Sequence, residues 1–79
     1  MKLPRDLSGA ELVKHLCRRW QSRRVHQVGS HVILETSQPS PHRIAVPEHY
    51  PLRVGTLNAI LSAVAGHKGV TKEDVLTGI

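Results

Sequence analysis

Two short apolar segments joined by a two-residue bend set the strongest constraint on how this chain folds. Val25-His26-Gln27-Val28 and His31-Val32-Ile33-Leu34-Glu35 have strand composition, and Gly29-Ser30 lies between them. A connection that short can only join antiparallel neighbours, and glycine at its first central position suits a tight hairpin turn. In the second segment, a period of two puts Val32 and Leu34 on one face and His31, Ile33 and Glu35 on the other. The purely apolar pair belongs against a core. His31 then stands on the open face, at the first position after the bend.

The flanking sequence supplies the core. Residues 1–7 are a lead-in that Pro4 keeps extended. Ser8-Gly9-Ala10-Glu11 is a capping box, in which the Ser8 hydroxyl accepts from the Glu11 amide and the Glu11 carboxylate reaches back to the Ser8 N–H. The helix it opens carries Leu12, Val13, Leu16 and Trp20 on one face and should end near residues 20–22. Residues 23–28 and 31–36 are the two hairpin strands. Ser37-Gln38-Pro39-Ser40-Pro41 is a turn, barred from a central strand by its prolines. Residues 42–46 form a third strand with Ile44 and Val46 as core residues. Pro47-Glu48-His49-Tyr50-Pro51 is a loop. A second helix is expected over residues 55–65, with Leu57, Ile60, Leu61 and Val64 as its apolar stripe. Thr71-Lys72-Glu73-Asp74 can cap a last helical turn carrying Val75 and Leu76. The expected architecture is a single α+β domain over residues 1–79. It is an α-β-β-β-α two-layer sandwich with a three-stranded antiparallel sheet, both helices on one face, and a short C-terminal helical turn. This is the layout of a double-stranded-RNA-binding-like domain.

Composition narrows the function. In 79 residues, eleven Lys and Arg stand against six Asp and Glu, for a net charge of +5. Lys14, Arg18, Arg19, Arg23 and Arg24 fall between Glu11 and Glu35 with no acid among them. Such a block suits a polyanion, of which nucleic acid is the commonest, and it equally describes a solvated face. The single Cys17 excludes an internal disulfide and reads as a small buried thiol. No apolar run approaches the roughly 20 residues of a membrane span. The first residues lack a signal-peptide apolar region, so the expected compartment is the cytoplasm.

The chain has six histidines, His15, His26, His31, His42, His49 and His67. They are not spaced as a zinc site with a cysteine pair, and no metal or cofactor is expected. Val54-Gly55-Thr56 lacks the rest of a phosphate-binding loop, and no serine or cysteine stands in a nucleophile pattern. What the residues do provide is one exposed histidine beside a basic block. Imidazole titrates near about 6.5, so it can take a proton from a ribose 2′-hydroxyl or give one to a departing oxygen. Arginines can stabilise the charge that gathers on phosphorus. RNA brings its own nucleophile, so this is a sensible minimum for RNA cleavage.

Pro4-Arg5 and Ser8-Gly9, Gly29-Ser30-His31, Pro47-Glu48-His49, and Gly55-Thr56-Leu57 followed by Ile60-Leu61 occur in the order and spacing of a known pattern. Along nearly its whole length the chain resembles the HicA-type (YcfA-like) toxins of bacterial HicA–HicB toxin–antitoxin systems. It departs from their usual pattern at Gln21-Ser22 and at Val28. The resemblance implies a double-stranded-RNA-binding-like fold, endoribonuclease activity on mRNA, catalysis by His31, and a HicB-type antitoxin that covers the His31 face. Arg23, Arg24 and Arg43 are then candidate phosphate contacts, with Gly29 and Ser30 beside them as RNA-contacting residues. His49 also falls on the pattern and can be catalytic, RNA-contacting or structural, of which the structural role is the preferred expectation; whether it or His26 completes an acid–base pair with His31 stays open. Two rivals remain. One is a non-catalytic RNA-binding module of the same fold. The other is a pure interaction domain, for which an apolar Ile33 on the open face would need a cover.

Overall fold

The structure is a computed structural model that describes residues 3–79, so Met1 and Lys2 of the lead-in lie outside the described residues. Six elements follow in order: α1 (Gly9–Arg19), β1 (Arg23–Val28), β2 (His31–Thr36), β3 (His42–Pro47), α2 (Val54–Lys68) and α3 (Lys72–Leu76). They form a small α+β fold built on one antiparallel sheet of order β1-β2-β3.

Both halves of the Ser8 capping box are made. The Glu11 N–H donates to Ser8 Oγ at 3.0 Å and the Ser8 N–H donates to Glu11 Oε1 at 3.3 Å. Arg18 and Arg19 fall in the last turn of α1, where cations favour the carboxyl end of the helix dipole. The helix stops because Gln21 turns to the left-handed region at φ 54. Glycine normally takes that conformation, and Gln21 supplies no compositional signal for it.

On β2 burial alternates as the period predicts. Val32, Leu34 and Thr36 are buried, while His31 is exposed and Ile33 and Glu35 are half-buried. Val46 of β3 is fully buried and Ile44 packs at the margin of the same cluster. Leu12 and Leu16 of α1 and Leu57 and Leu61 of α2 join Val32, Leu34 and Val46 in one core, so both helices cover the same sheet face. Burying each of these side chains is worth about 1.5–3 kcal/mol. A domain of this size keeps only a few kcal/mol net, so each is individually important. Cys17 is half-buried, not enclosed as expected, and burial pushes its thiol pKa up against the opposing pull of Arg24.

Helix α2 runs a turn beyond the expected residue 65. Gly66 is accommodated inside it, and Gly69 ends it at φ 71. Thr71 then caps α3 through a second capping box with Asp74, and those bonds hold the Asp74 carboxyl below its usual range. The short helix is anchored by its fully buried Val75. The carbonyl of Val75 accepts from His15 Nε2 at 2.6 Å and Trp20 Nε1 at 3.2 Å. Among the described residues no helix is long and apolar enough to cross a membrane.

Strand β1 contains an irregularity that decides which side chains reach the open face. Val28 pairs with His31, Gln27 with Val32 and His26 with Ile33, after which the register shifts, so that Arg24 pairs with Leu34 and Arg23 with Glu35. Val25 is the extra residue of this bulge. A regular ladder continued from the turn would have set Arg24 opposite Glu35. The bulge exchanges the two arginines: Arg23 shares the open face with Glu35, and Arg24 lies on the helix side with Leu34.

Candidate active site

His31 owes its position to the hairpin. Gly29 takes φ 57 at the first central position of the two-residue loop, a conformation that L side chains rarely adopt. His31 therefore begins β2 at a fixed point, directly opposite Val28 on one side and Pro47 on the other.

The segment after β3 closes around the same point. The Glu48 N–H donates to the Ser30 carbonyl at 2.6 Å, tying the segment to the hairpin turn. The Gly9 N–H, at the start of α1, donates to the His49 carbonyl at 2.9 Å, and the Leu52 N–H donates to the Leu7 carbonyl at 2.8 Å. The His49 ring lies with Nε2 at 3.4 Å from Ser30 Oγ. Gly9 is required for this closure, because a Cβ there would stand 1.9 Å from the Pro47 carbonyl oxygen.

The result is a cleft of ≈ 630 Å³ between the open side of the sheet and the first half of α2, a volume in the range of small-molecule sites. His31, Ala45 and Pro47 form the sheet wall. His49 and Leu52 come from the loop, Arg53 is the N-cap of α2, and Thr56, Ala59 and Ile60 come from α2. None of these residues is an acid. Glu48, between Pro47 and His49 in the chain, is turned away: its carboxylate accepts from Gln27 Nε2 at 2.8 Å and from Arg24 at 3.4 Å. Helix α2 follows Arg53 as its N-cap, with no side-chain cap bond and no acid in its first turn. Its positive dipole end therefore adds to the Arg53 charge beside the cleft. Two imidazoles, a guanidinium and a hydroxyl thus line one acid-free concavity, an arrangement able to hold an anionic group and exchange protons with it.

The other residues expected at the site are distributed differently. Gly29 and Ser30 adjoin it through the hairpin turn. Arg23 and Arg43 are on the His31 face, but at its far end and tied to Glu35. Arg23 reaches Glu35 Oε1 at 3.1 Å and Arg43 reaches Oε2 at 2.8 Å. Those bonds, from Arg43 first and Arg23 second, hold the Glu35 carboxyl below its usual range. Arg24 is on the opposite side of the sheet, paired with Glu48. His26 is on the open face, a diagonal neighbour of His31 across the β1–β2 ladder.

Three histidines are placed elsewhere. His15 is in the core on Val75. His42 and His67 stack at the other end of the sheet, with ring centroids 4.3 Å apart and planes 11° from parallel. There His67 Nε2 donates to the Ser40 carbonyl at 2.9 Å, and Lys68 Nζ donates to Thr36 Oγ1 at 3.1 Å and to Gln21 Oε1 at 3.2 Å. This group clamps the β2–β3 turn to the end of α2. Burial, and then the charges of His67 and Lys68, lower the His42 pKa, and burial lowers that of Lys68.

Arg53 carries no sequence signal for a place in the cleft. Thr56 stands out only in the Val54-Gly55-Thr56 helix start and in Gly55-Thr56-Leu57 of the family pattern, neither of which reveals which part of the sheet the helix meets. Among the described residues no three His, Cys, Asp or Glu are grouped to hold a metal ion. Comparison with known proteins returns no match, neither to a family model, nor to a curated protein, nor to a solved structure.

Proposed function

We propose that this chain is a metal-independent endoribonuclease of the HicA toxin type. It would be a double-stranded-RNA-binding-like domain that cuts mRNA with His31 as general acid/base and is held in check by a HicB-type antitoxin. The observation that carries the reading is the position of His31. It is exposed and fixed behind a glycine turn, and it faces an acid-free cleft shared with His49, Arg53 and Thr56. The order of Gly29-Ser30-His31, Pro47-Glu48-His49 and Gly55-Thr56-Leu57 in the chain supports the family assignment.

In the proposed reaction the ribose 2′-oxygen attacks the adjacent phosphorus as its proton leaves to a base. The bond from phosphorus to the 5′-oxygen breaks as that oxygen receives a proton. The products are a 2′,3′-cyclic phosphate and a 5′-hydroxyl end. An imidazole suits either transfer near neutrality. Arg53 and the start of α2 favour the negative charge on the phosphoryl oxygens. The same open face, with half-buried Ile33 at its centre, is where an inhibitory partner would sit. Such a partner would need only to cover His31 to silence the site.

Induced expression in bacterial cells lacking an antitoxin tests the reading. Wild type is expected to arrest growth and deplete mRNA, and His31→Ala at equal protein level is expected to do neither. Equal arrest by both proteins overturns the catalytic assignment. RNA binding without cleavage by the wild type favours the non-catalytic module.

A further inference from the structure

We infer that His49 is the second proton-transfer group of this site, acting across the cleft from His31 on the opposite side of the scissile phosphate. The inference rests on the endoribonuclease reading and adds the group that completes its acid–base pair.

The chemistry asks for such a group. In an in-line displacement the entering 2′-oxygen and the departing 5′-oxygen lie on opposite sides of phosphorus. One loses a proton as the other gains one. A single imidazole can serve only one side at a time, whereas two separated imidazoles serve both at once. One accepts the proton from the 2′-hydroxyl and the other delivers a proton to the 5′-oxygen, so the pair ends the step with its protons exchanged and no other reagent consumed.

Of the five other histidines, only His49 meets the positional demand. It lines the same cleft as His31 but comes from the loop, not the sheet wall. His15 is buried on the Val75 carbonyl, and His42 and His67 are stacked at the far end of β2 and β3. His26 shares the open face with His31 but does not line the cleft. The loop also treats His49 as a residue to be placed. Its carbonyl is fixed by the Gly9 N–H, its neighbour Glu48 is fixed by the Ser30 carbonyl, and its ring lies beside Ser30 Oγ. The ring is nonetheless exposed and free to meet substrate. Glu48, the one acid in the segment, is held on the other side by Gln27 and Arg24, so no fixed carboxylate competes for the proton inside the cleft.

The test uses purified full chain and a short RNA in two forms, one normal and one with sulfur replacing the bridging 5′-oxygen. Thiolate leaves without help, so the sulfur form needs no acid. For the wild type, kcat/KM against pH is expected to be bell-shaped. His31→Ala and His49→Ala are each expected to lose one limb and about 10²–10⁴-fold in rate on the normal RNA. The sulfur substrate is expected to restore one of the two variants and not the other, which identifies the acid and shows that the restored variant is folded. His49→Gln, which keeps a polar side chain, is expected to lose the same limb, while His26→Ala keeps both.

A His49→Ala protein that cleaves at the wild-type rate, or that is slow but keeps both limbs, overturns the inference alone. So does rescue of neither variant, or loss of the limb in His26→Ala instead. Cleavage by His31→Ala at the wild-type rate, or no cleavage by the wild type, overturns the parent reading.

Discussion

The backbone N–H of Gly9 donates to the carbonyl of His49 at 2.9 Å, making the first turn of α1 and the loop of the cleft one unit. The contact exists because residue 9 has no side chain. A Cβ there would stand 1.9 Å from the Pro47 oxygen and 2.8 Å from its carbonyl carbon, and neither is the movable end of a side chain.

Gly9→Ala is therefore expected to destabilise the domain by about 1–3 kcal/mol, the usual range for forced overpacking. In a domain of this length that lowers the melting midpoint by about 4–8 °C per kcal/mol. Gly66→Ala is the contrast, since its Cβ would meet nothing within 4 Å in the last turn of α2. It is expected to stabilise by about 0.5–1 kcal/mol. Thermal unfolding of the two variants beside wild type checks both signs. RNA cleavage well below the melting midpoint is expected to fall in Gly9→Ala only.

Glu35 occupies the arginines of the open face. Its carboxylate is ionised at neutral pH, held low by Arg43 and Arg23. Glu35→Gln removes one negative charge and releases both guanidiniums, so it is expected to tighten binding of single-stranded RNA. The log–log dependence of affinity on salt is expected to steepen by about 0.7 for each phosphate newly neutralised. Titration of a labelled RNA with the His31→Ala background at several salt concentrations checks this. An unchanged slope means that Arg23 and Arg43 do not meet the backbone.

The stacked pair at the other end of the sheet is expected to make stability depend on pH. Burial lowers the folded-state pKa of His42 below 6.5, with further contributions from His67 and Lys68. The unfolded chain then binds the proton more readily than the native one. Stability is expected to be intact above about pH 6.5 and to fall as pH drops through the depressed value. Urea unfolding between pH 5 and pH 8 is expected to show that decline in wild type, with a shallower one in His42→Gln.

The parts of this fold that are legible in the sequence are those decided locally. The Ser8–Glu11 and Thr71–Asp74 boxes span four residues each, and both form as written. Val32 and Leu34 are buried because a half-covered strand sorts its residues by period, and that sorting alone exposes His31. The Val25 bulge is different. Nothing in Arg23-Arg24-Val25-His26 marks the extra residue, yet it exchanges the faces of the two arginines and turns Arg24 from a phosphate contact on the His31 face into a partner of Glu48. The stop at Gln21 is hidden because glutamine there does what glycine usually signals. Gly9 reads as part of a cap, while its contact with Pro47 depends on how α1 meets the loop. Arg53 and Thr56 join the cleft only through the packing of α2, so a reading confined to the hairpin finds His31 and misses the wall opposite.

Whether His31 does chemistry on RNA is decided by cleavage of an end-labelled single-stranded RNA with purified protein. Wild type, in chelator and without added metal, is expected to release fragments ending in a 2′,3′-cyclic phosphate. His31→Ala, with an unchanged melting midpoint, is expected to bind the same RNA and leave it intact. Cleavage by His31→Ala at the wild-type rate, or fragments ending in a 3′-hydroxyl and a 5′-phosphate, would rule out His31 as the group that moves a proton in attack by the 2′-oxygen.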